Sequence, residues 1–178
     1  MVKIVQKENP VLRKISEKVH VSDITKPKIQ KLLKDMSEAL RSQDDGVAIA
    51  APQVGKPLRI FIVSGKIFDE DFMKNNNIPK KESCHQDLIF INPVIKRLSK
   101  DKEILDEGCL SIRPIFGKVP RASKATIEAY NEKGEKISRG ASGLLAQIFQ
   151  HETDHLEGIL FTDTAKELYE ILPPKASD

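Results

Sequence analysis

The sequence predicts an α+β fold in which a long N-terminal helix and a second helix near the C-terminus pack against antiparallel sheets. Apolar residues recur on one helical face between residues 29 and 40, and a second helical pattern runs from residue 143 to about residue 158. Between these segments, residues 124–130 alternate in polarity, which is typical of a strand.

Composition indicates a globular protein that forms one domain over residues 1–178, with 39% hydrophobic and 31% charged residues. The net charge is +3, the lysines are dispersed and aromatic residues make up 5%, so we expect no sequence-specific nucleic-acid binding. We see no export signal and no apolar run long enough for a membrane span, and we expect a cytoplasmic location without a membrane partner.

The first long helix is predicted to begin near Thr25, a candidate cap, with Pro27 in its first turn. Its buried face has the spacing i, i+3, i+4, i+7 and i+11, formed by Ile29, Leu32, Leu33, Met36 and Leu40. Asp44-Asp45-Gly46 follows and ends the helix.

The next segment, residues 46–55, consists mostly of small residues and places Gln53 directly after a proline. Small side chains let another backbone approach closely. The segment is therefore either a tight connection beneath a sheet or the wall of a cleft that receives an extended peptide.

Strands are predicted at residues 59–63, at residues 87–95 with a bend at Asn92-Pro93, and as a hairpin within residues 119–138. Residues 64–86 are polar and are predicted to form a surface insertion. Cys84 and His85 lie there without a second ligand pair nearby, and we expect neither a metal site at this pair nor a disulfide from Cys84 to Cys109. Residues 165–178 form a tail, in which a short helix is predicted over residues 165–172.

The most informative stretch is His151-Glu152-Thr153-Asp154-His155 on the last long helix. Residues four apart lie on the same helical face, so both imidazoles can reach one metal ion while Glu152 handles protons beside it. A helix of this sequence can also simply bury a histidine or expose a charged face.

A metal site with an open position needs a third protein ligand. Glu157 lies about 200° around the helix from His155, and Glu167 and Glu170 lie on the terminal segment. Cys109 is the better candidate because a thiolate binds soft and borderline divalent ions strongly, although a lone cysteine is more often a small buried apolar residue.

Three segments, in this order, carry a family resemblance. Residues 46–53 (GVAIAAPQ), 107–111 (EGCLS) and 151–155 (HETDH) resemble the three motifs of peptide deformylases, and residues 9–13 resemble the opening of that family. The resemblance covers nearly the whole chain apart from residues 64–86 and the tail. It implies antiparallel sheets packed around a central metal-binding helix.

The resemblance implies a hydrolase that removes the N-formyl group from the N-terminal methionine of nascent polypeptides, with possible transient contact to the ribosome. It implies metal ligation by Cys109, His151 and His155, with iron(II) as the native ion and zinc, nickel or cobalt as alternatives in isolated protein. A metal-bound water would attack the formyl carbon, with Glu152 as general acid and base. Gln53 and the Leu110 N–H would stabilise the oxyanion.

The substrate pocket implied by the family motifs is apolar and suits a methionine side chain. Its expected residues are Gly46, Val47, Ala48, Leu105, Glu107, Gly108, Leu144 and Ile148. Plain core packing is the other interpretation of its aliphatic residues.

The chain departs from the family pattern at Ala48, where a second glycine is usual, and at Arg113-Pro114. If the first position needs close backbone approach or a positive φ, a Cβ there costs about 1 kcal/mol or more. These changes leave open a homologue that binds peptides without turnover, beside the deformylase and a zinc peptidase that would not need Cys109. A buried pairing of Arg121 with Glu107 and Asp154 is expected to brace the ligand helix.

Overall fold

The structure is a computed structural model that describes residues 2–69, 72 and 85–171. Within these residues the strands form two antiparallel sheets. The larger sheet has the order β1-β2-β3-β6-β7, with strands β1 (Ala48–Ala50), β2 (Ile60–Val63), β3 (Leu88–Leu98), β6 (Lys124–Tyr130) and β7 (Lys136–Ser142). The smaller sheet has the order β4-β5-β8, with strands β4 (Lys102–Gly108), β5 (Ile115–Ala122) and β8 (Glu167–Glu170). The described helices are α1 (Pro27–Arg41), α2 (Gly143–Leu156) and α3 (Phe161–Thr164), and the predicted α+β class is confirmed.

Helix α1 covers one face of the larger sheet with the apolar stripe that its sequence predicts. Leu33, Met36 and Leu40 are buried, and they belong to one cluster with Ile49 of β1 and Ile62 of β2. The residue that caps α1 is Lys26 rather than Thr25, and it makes no side-chain capping bond. Apolar burial, rather than a cap, therefore holds this helix.

Helix α2 contacts both sheets and so fixes the position of the HETDH motif. Ala146, Ile148 and Phe149 are buried in a cluster with β1, β2, β3 and β6. On the side toward the smaller sheet, Gln150 accepts a hydrogen bond from the N–H of Ala122 at 2.9 Å and donates to its carbonyl at 3.0 Å. This paired amide contact connects α2 to the end of β5.

Two predictions for the second half of the chain are wrong. The tail contains strand β8, which pairs with β5, where a helix was predicted. The predicted hairpin begins at Lys124, because Val119 belongs to β5 in the other sheet. Strand β4 was not predicted, since its sequence, KEILDEG, places two adjacent apolar residues between charged pairs and shows no alternation in polarity.

Part of the predicted surface insertion, Cys84 of the cysteine–histidine pair and the end of the tail lie outside the described residues. Of residues 64–86, the segment Gly65–Phe68 forms a 3-10 helix with Ile67 buried. Asn92 has a φ of 52°, so the backbone bends where Asn92-Pro93 predicted a bend. The Asn92 side chain accepts a hydrogen bond from the Val19 N–H at 2.9 Å and donates one to the Val19 carbonyl at 2.7 Å.

Candidate functional site

Three side chains from the second and third motifs converge between the sheets. The candidate ligand atoms of Cys109, His151 and His155 all lie within 4.8 Å of one another. The Cys109 Sγ is 3.3 Å from the His155 Nε2, and both side chains are buried. One ion with metal–ligand distances of about 2.0–2.3 Å fits among these atoms once the side chains draw slightly closer together, and a thiolate with two imidazoles suits a borderline divalent metal.

The outer nitrogen of His151 is held by a buried ion-pair network. The His151 Nδ1 is 2.9 Å from the Glu107 Oε2, which directs the other ring nitrogen toward the cluster. Arg121 donates to both oxygens of Glu107 at 2.7 and 3.0 Å and to Asp154 at 2.6 Å. Arg121 therefore connects β5 to β4 and to helix α2, which is the pairing expected from the sequence.

Electrostatics in the cluster favour a positive charge between the thiol and the carboxylates. Burial lowers the pKa of His151, but hydrogen bonds to Cys109 and Glu107 outweigh burial and raise that pKa well above its ordinary value. Burial, together with the adjacent His151, lowers the pKa of His155 well below its ordinary value. A neutral His155 has the lone pair that a metal ligand needs.

Glu152 is buried on the same helix, with 4% of its surface exposed. Its Oε2 has no hydrogen-bond partner among the described residues, and neither has the Nδ1 of His155. Burial raises the pKa of the Glu152 carboxyl to about 7. A buried carboxyl with an unpartnered oxygen and a pKa near neutrality has the properties of a general acid and base.

The Gln53 side chain reaches the cluster from the opposite wall. Its Oε1 accepts a hydrogen bond from the N–H of Ala50 at 2.8 Å, which turns the amide nitrogen toward the cluster. That nitrogen lies 3.4 Å from the Cys109 Sγ and 3.3 Å from the Ser111 Oγ. Ser111 is fully buried and was not assigned a role from the sequence, although it lies in the second motif.

A pocket opens directly onto these groups. The residues around it come from the first motif, the end of β4, the loop after Cys109 and one face of α2: Asp45, Gly46, Val47, Ala48, Gln53, Asp106, Glu107, Gly108, Cys109, Leu110, Arg113, Ile115, Phe116, Leu144, Gln147, Ile148, His151 and Glu152. The segment at residues 46–53 is therefore a cleft wall, and Gly46 also packs on α1, since an added Cβ would lie 3.0 Å from the Leu40 Cδ1.

Leu105 does not line the pocket. It pairs with Val119 within the smaller sheet and directly precedes Asp106, where the pocket-lining part of β4 begins. Ala48 does line it and has an extended backbone in β1, so its methyl group introduces no backbone strain. Ala48 therefore carries none of the cost in free energy that a positive φ at this position would have imposed.

Arg113, the other departure from the motif pattern, crosses the mouth of the pocket. Its guanidinium forms an ion pair with Asp45 and donates to the Gln43 Oε1 at 3.1 Å. The pair joins the loop after Cys109 to the segment that precedes β1. Neither partner was assigned to the site from sequence, because residues 45 and 113 become neighbours only in the tertiary fold.

The amino-acid sequence of this chain matches a known protein family. The family model for polypeptide deformylase matches residues 1–170. The chain belongs to this family. The sequence-based assignment to the peptide deformylases, which are hydrolases, is confirmed.

Individual deformylases match over most of their length. Peptide deformylase 2 of Clostridium acetobutylicum is 41% identical over 160 residues, which are 90% of this chain and 92% of that protein. A class I type b deformylase from Acinetobacter baumannii, solved with Met-Ala-Ser bound, has a TM-score of 0.79 and 29% identity over 92% of this chain and 97% of that chain. A Synechococcus elongatus deformylase in complex with actinonin has a TM-score of 0.76 and 29% identity over 93% and 79% of the two chains.

Proposed function

We propose that this chain removes the N-formyl group from the N-terminal methionine of nascent polypeptides and releases formate. The observation that carries the proposal is the convergence of the Cys109, His151 and His155 ligand atoms within 4.8 Å, with the Gln53 amide nitrogen 3.4 Å from the thiol. Buried Glu152 lies at the same end of an apolar pocket. Family membership supports the same reaction.

Cys109, His151 and His155 are the proposed metal ligands, and iron(II) is the proposed native ion. The Nε2 of His155, which lies 3.3 Å from the Cys109 Sγ, and the raised pKa of His151 fit a cation bound among these groups. Bound by these residues, a divalent ion would act as a Lewis acid and would lower the pKa of a water molecule at the site. The same donor set accepts zinc, nickel or cobalt, so the occupant in isolated protein follows metal supply.

Glu152 is the proposed general acid and base. Its carboxylate accepts the proton of the water that attacks the formyl carbon, and then passes that proton to the amine nitrogen as the carbon–nitrogen bond breaks. Formate and a free methionine amine are the products. A pKa of about 7 allows Glu152 both to take and to give a proton near neutral pH.

Gln53 and the N–H of Leu110 are the proposed donors to the oxyanion that forms at the formyl oxygen. Gln53 suits this role because Ala50 and Ser111 fix its amide before substrate binds, and donors held in place need no reorganisation during the reaction. Leu110 lines the same pocket directly after Cys109.

The methionine side chain is proposed to enter between Val47, Leu144 and Ile148, where the pocket is aliphatic. The peptide backbone is proposed to add as a strand along residues 46–48, because β1 pairs only with β2 among the described strands and so has a free edge. Gly46, Ala48, Glu107 and Gly108 would then lie beside the peptide, although the Glu107 carboxylate already contacts Arg121 and His151.

Nascent chains carry the proposed substrate, so we place the protein in the cytoplasm with possible transient ribosome contact. None of the described helices is long and apolar enough to cross a bilayer.

The test is formate release from formyl-Met-Ala-Ser by anaerobically purified, iron-loaded protein, with metal analysis of wild type and Cys109→Ala. We expect formate from the wild type, and loss of both metal and activity in the variant. Tight peptide binding without formate would instead indicate a protein that has lost catalysis. Full metal content in Cys109→Ala would contradict the proposed ligand set.

A further inference from the structure

Gln147 is a polar side chain in the aliphatic part of the pocket, and the proposed reaction does not use it. It lies on α2 between Leu144 and Ile148, and all three side chains line the pocket. Residues three and four apart share a helical face, so Gln147 also lies one turn before the proposed ligand His151. An amide is therefore placed where the methionine side chain is proposed to enter.

The contacts of Gln147 determine which end of its amide is the nitrogen. The Nε2 donates to the Asp106 carbonyl at 2.9 Å and to the Glu107 Oε1 at 3.4 Å. Both partners are acceptors, so the opposite orientation of the amide would set oxygen against oxygen. The Gln147 Oε1 has no hydrogen-bond partner among the described residues. The amide thus leaves one acceptor for a ligand in the pocket.

A free acceptor at this position changes which side chain the pocket fits. A methionine side chain ends in a thioether methyl group, which donates no hydrogen bond, so it displaces water from the Gln147 oxygen without replacing the lost bond. A glutamine side chain has the same unbranched length and places an amide N–H where methionine has its terminal methyl group. That N–H can donate to the Gln147 oxygen.

We propose that Gln147 relaxes the selectivity of this pocket, so that the chain also deformylates peptides whose first side chain ends in a hydrogen-bond donor, with glutamine as the closest match to methionine. This inference rests on the proposed deformylase function. The reaction is the same hydrolysis, in which water and the formyl-glutaminyl peptide give formate and the free glutaminyl amine. Leu144 beside Gln147 is 40% exposed, so water can still reach the oxygen of the substrate amide.

The test compares kcat/KM for formyl-Met-Ala-Ser and formyl-Gln-Ala-Ser. Both values come from one preparation, so their ratio does not depend on the fraction of protein that holds metal. Gln147→Met replaces the amide with a side chain of similar length that lacks the amide oxygen. We expect this variant to raise the preference for the methionine peptide by about tenfold over wild type, the effect of one hydrogen bond at a partly buried group. An unchanged ratio would overturn the proposal.

Two further variants separate the acceptor from the shape of the pocket. Gln147→Leu also lacks the oxygen but has a different shape, so it should raise the ratio as Gln147→Met does; a change in only one of them would assign the effect to packing and overturn the proposal. Gln43 carries a second amide near the pocket mouth, where its Oε1 accepts from Arg113 at 3.1 Å, but it does not line the pocket. Gln43→Met should keep the wild-type ratio, and an equal shift there would overturn the role of Gln147.

Calorimetric binding of Met-Ala-Ser and Gln-Ala-Ser, the peptide products of the two reactions, separates this inference from the proposed function. If neither formylated peptide yields formate, the proposed function fails. A selective loss of affinity for Gln-Ala-Ser in Gln147→Met, with affinity for Met-Ala-Ser kept or raised, would still support the acceptor. Equal effects of the substitution on both peptides would overturn it.

Discussion

Arg121→Ala is expected to weaken both the fold and the metal site, because Arg121 is the shared partner of two carboxylates. The Arg121 side chain is 8% exposed and that of Glu107 is 3% exposed, with two N–H···O contacts at 2.7 and 3.0 Å between them. Removing one member of a buried pair leaves the other charge without compensation, which costs about 3–5 kcal/mol.

For a domain of this size, we expect a fall of roughly 10 °C in Tm, at about 2–4 °C per kcal/mol. Glu107 also contacts the His151 Nδ1 at 2.9 Å, and loss of such an orienting contact typically weakens metal affinity by about 10–100-fold. Thermal unfolding of metal-free protein measures the first effect, and a chelator competition titration measures the second.

Arg13→Ala is the matched control. Its ion pair with Asp163 has side chains that are 49% and 38% exposed, so its loss should cost about 1 kcal/mol or less and leave metal affinity unchanged. If Arg121→Ala matches Arg13→Ala in both Tm and metal content, Arg121 does not brace the site. In a Glu107→Gln background, Arg121→Ala should cost less, because only the half-buried Asp154 carboxylate then loses its partner.

Four further outcomes follow from the same contacts. Glu152→Gln should lower kcat by about 10²–10⁴-fold without lowering Tm, since one carboxylate oxygen is already unpartnered; retained turnover would contradict its proton-transfer role. Gln53→Ala should lower kcat by about 10²–10³-fold with metal content unchanged, and a change in KM alone would argue against transition-state stabilisation. Burial raises the pKa of Glu107, but its hydrogen bonds to His151 and Arg121 outweigh burial and lower that pKa from 4.5 to about 2. The folded state should therefore lose about 3 kcal/mol of the stability that it has above pH 4.5 as the pH falls toward 2. Acid titration of metal-free Glu107→Gln should lack this loss. Gly108→Ala should displace the Phe116 ring and cost about 1–3 kcal/mol in urea unfolding, whereas an unchanged midpoint would show that the ring moves freely.

Local sequence patterns predicted α1 and α2 closely because each rests on a repeated apolar spacing. The stripe at Ile29, Leu33, Met36 and Leu40 is buried in the structure, and α2 begins at Gly143 as its pattern indicated. Strand β8 escaped prediction because its four residues, ELYE, favour a strand only through pairing with β5. Short strands acquire their hydrogen bonds and their burial from partners distant in sequence.

The sequence by itself determined the candidate metal-binding residues of this protein. Two histidines four residues apart on a helix must share a face, and the motif around Cys109 supplies a third candidate ligand. The family followed from three motifs in order.

The tertiary structure decided which groups surround that chemistry. Arg113 with Asp45, and Phe116 with Tyr169, are separated by tens of residues and meet because sheet pairing and loop packing bring them together. Leu105, which the motif pattern placed in the pocket, pairs with Val119 outside it, because the pocket-lining part of β4 begins at Asp106. The candidate ligand set can therefore be read from local motifs, whereas the shape and charge of the pocket mouth depend on contacts between distant segments.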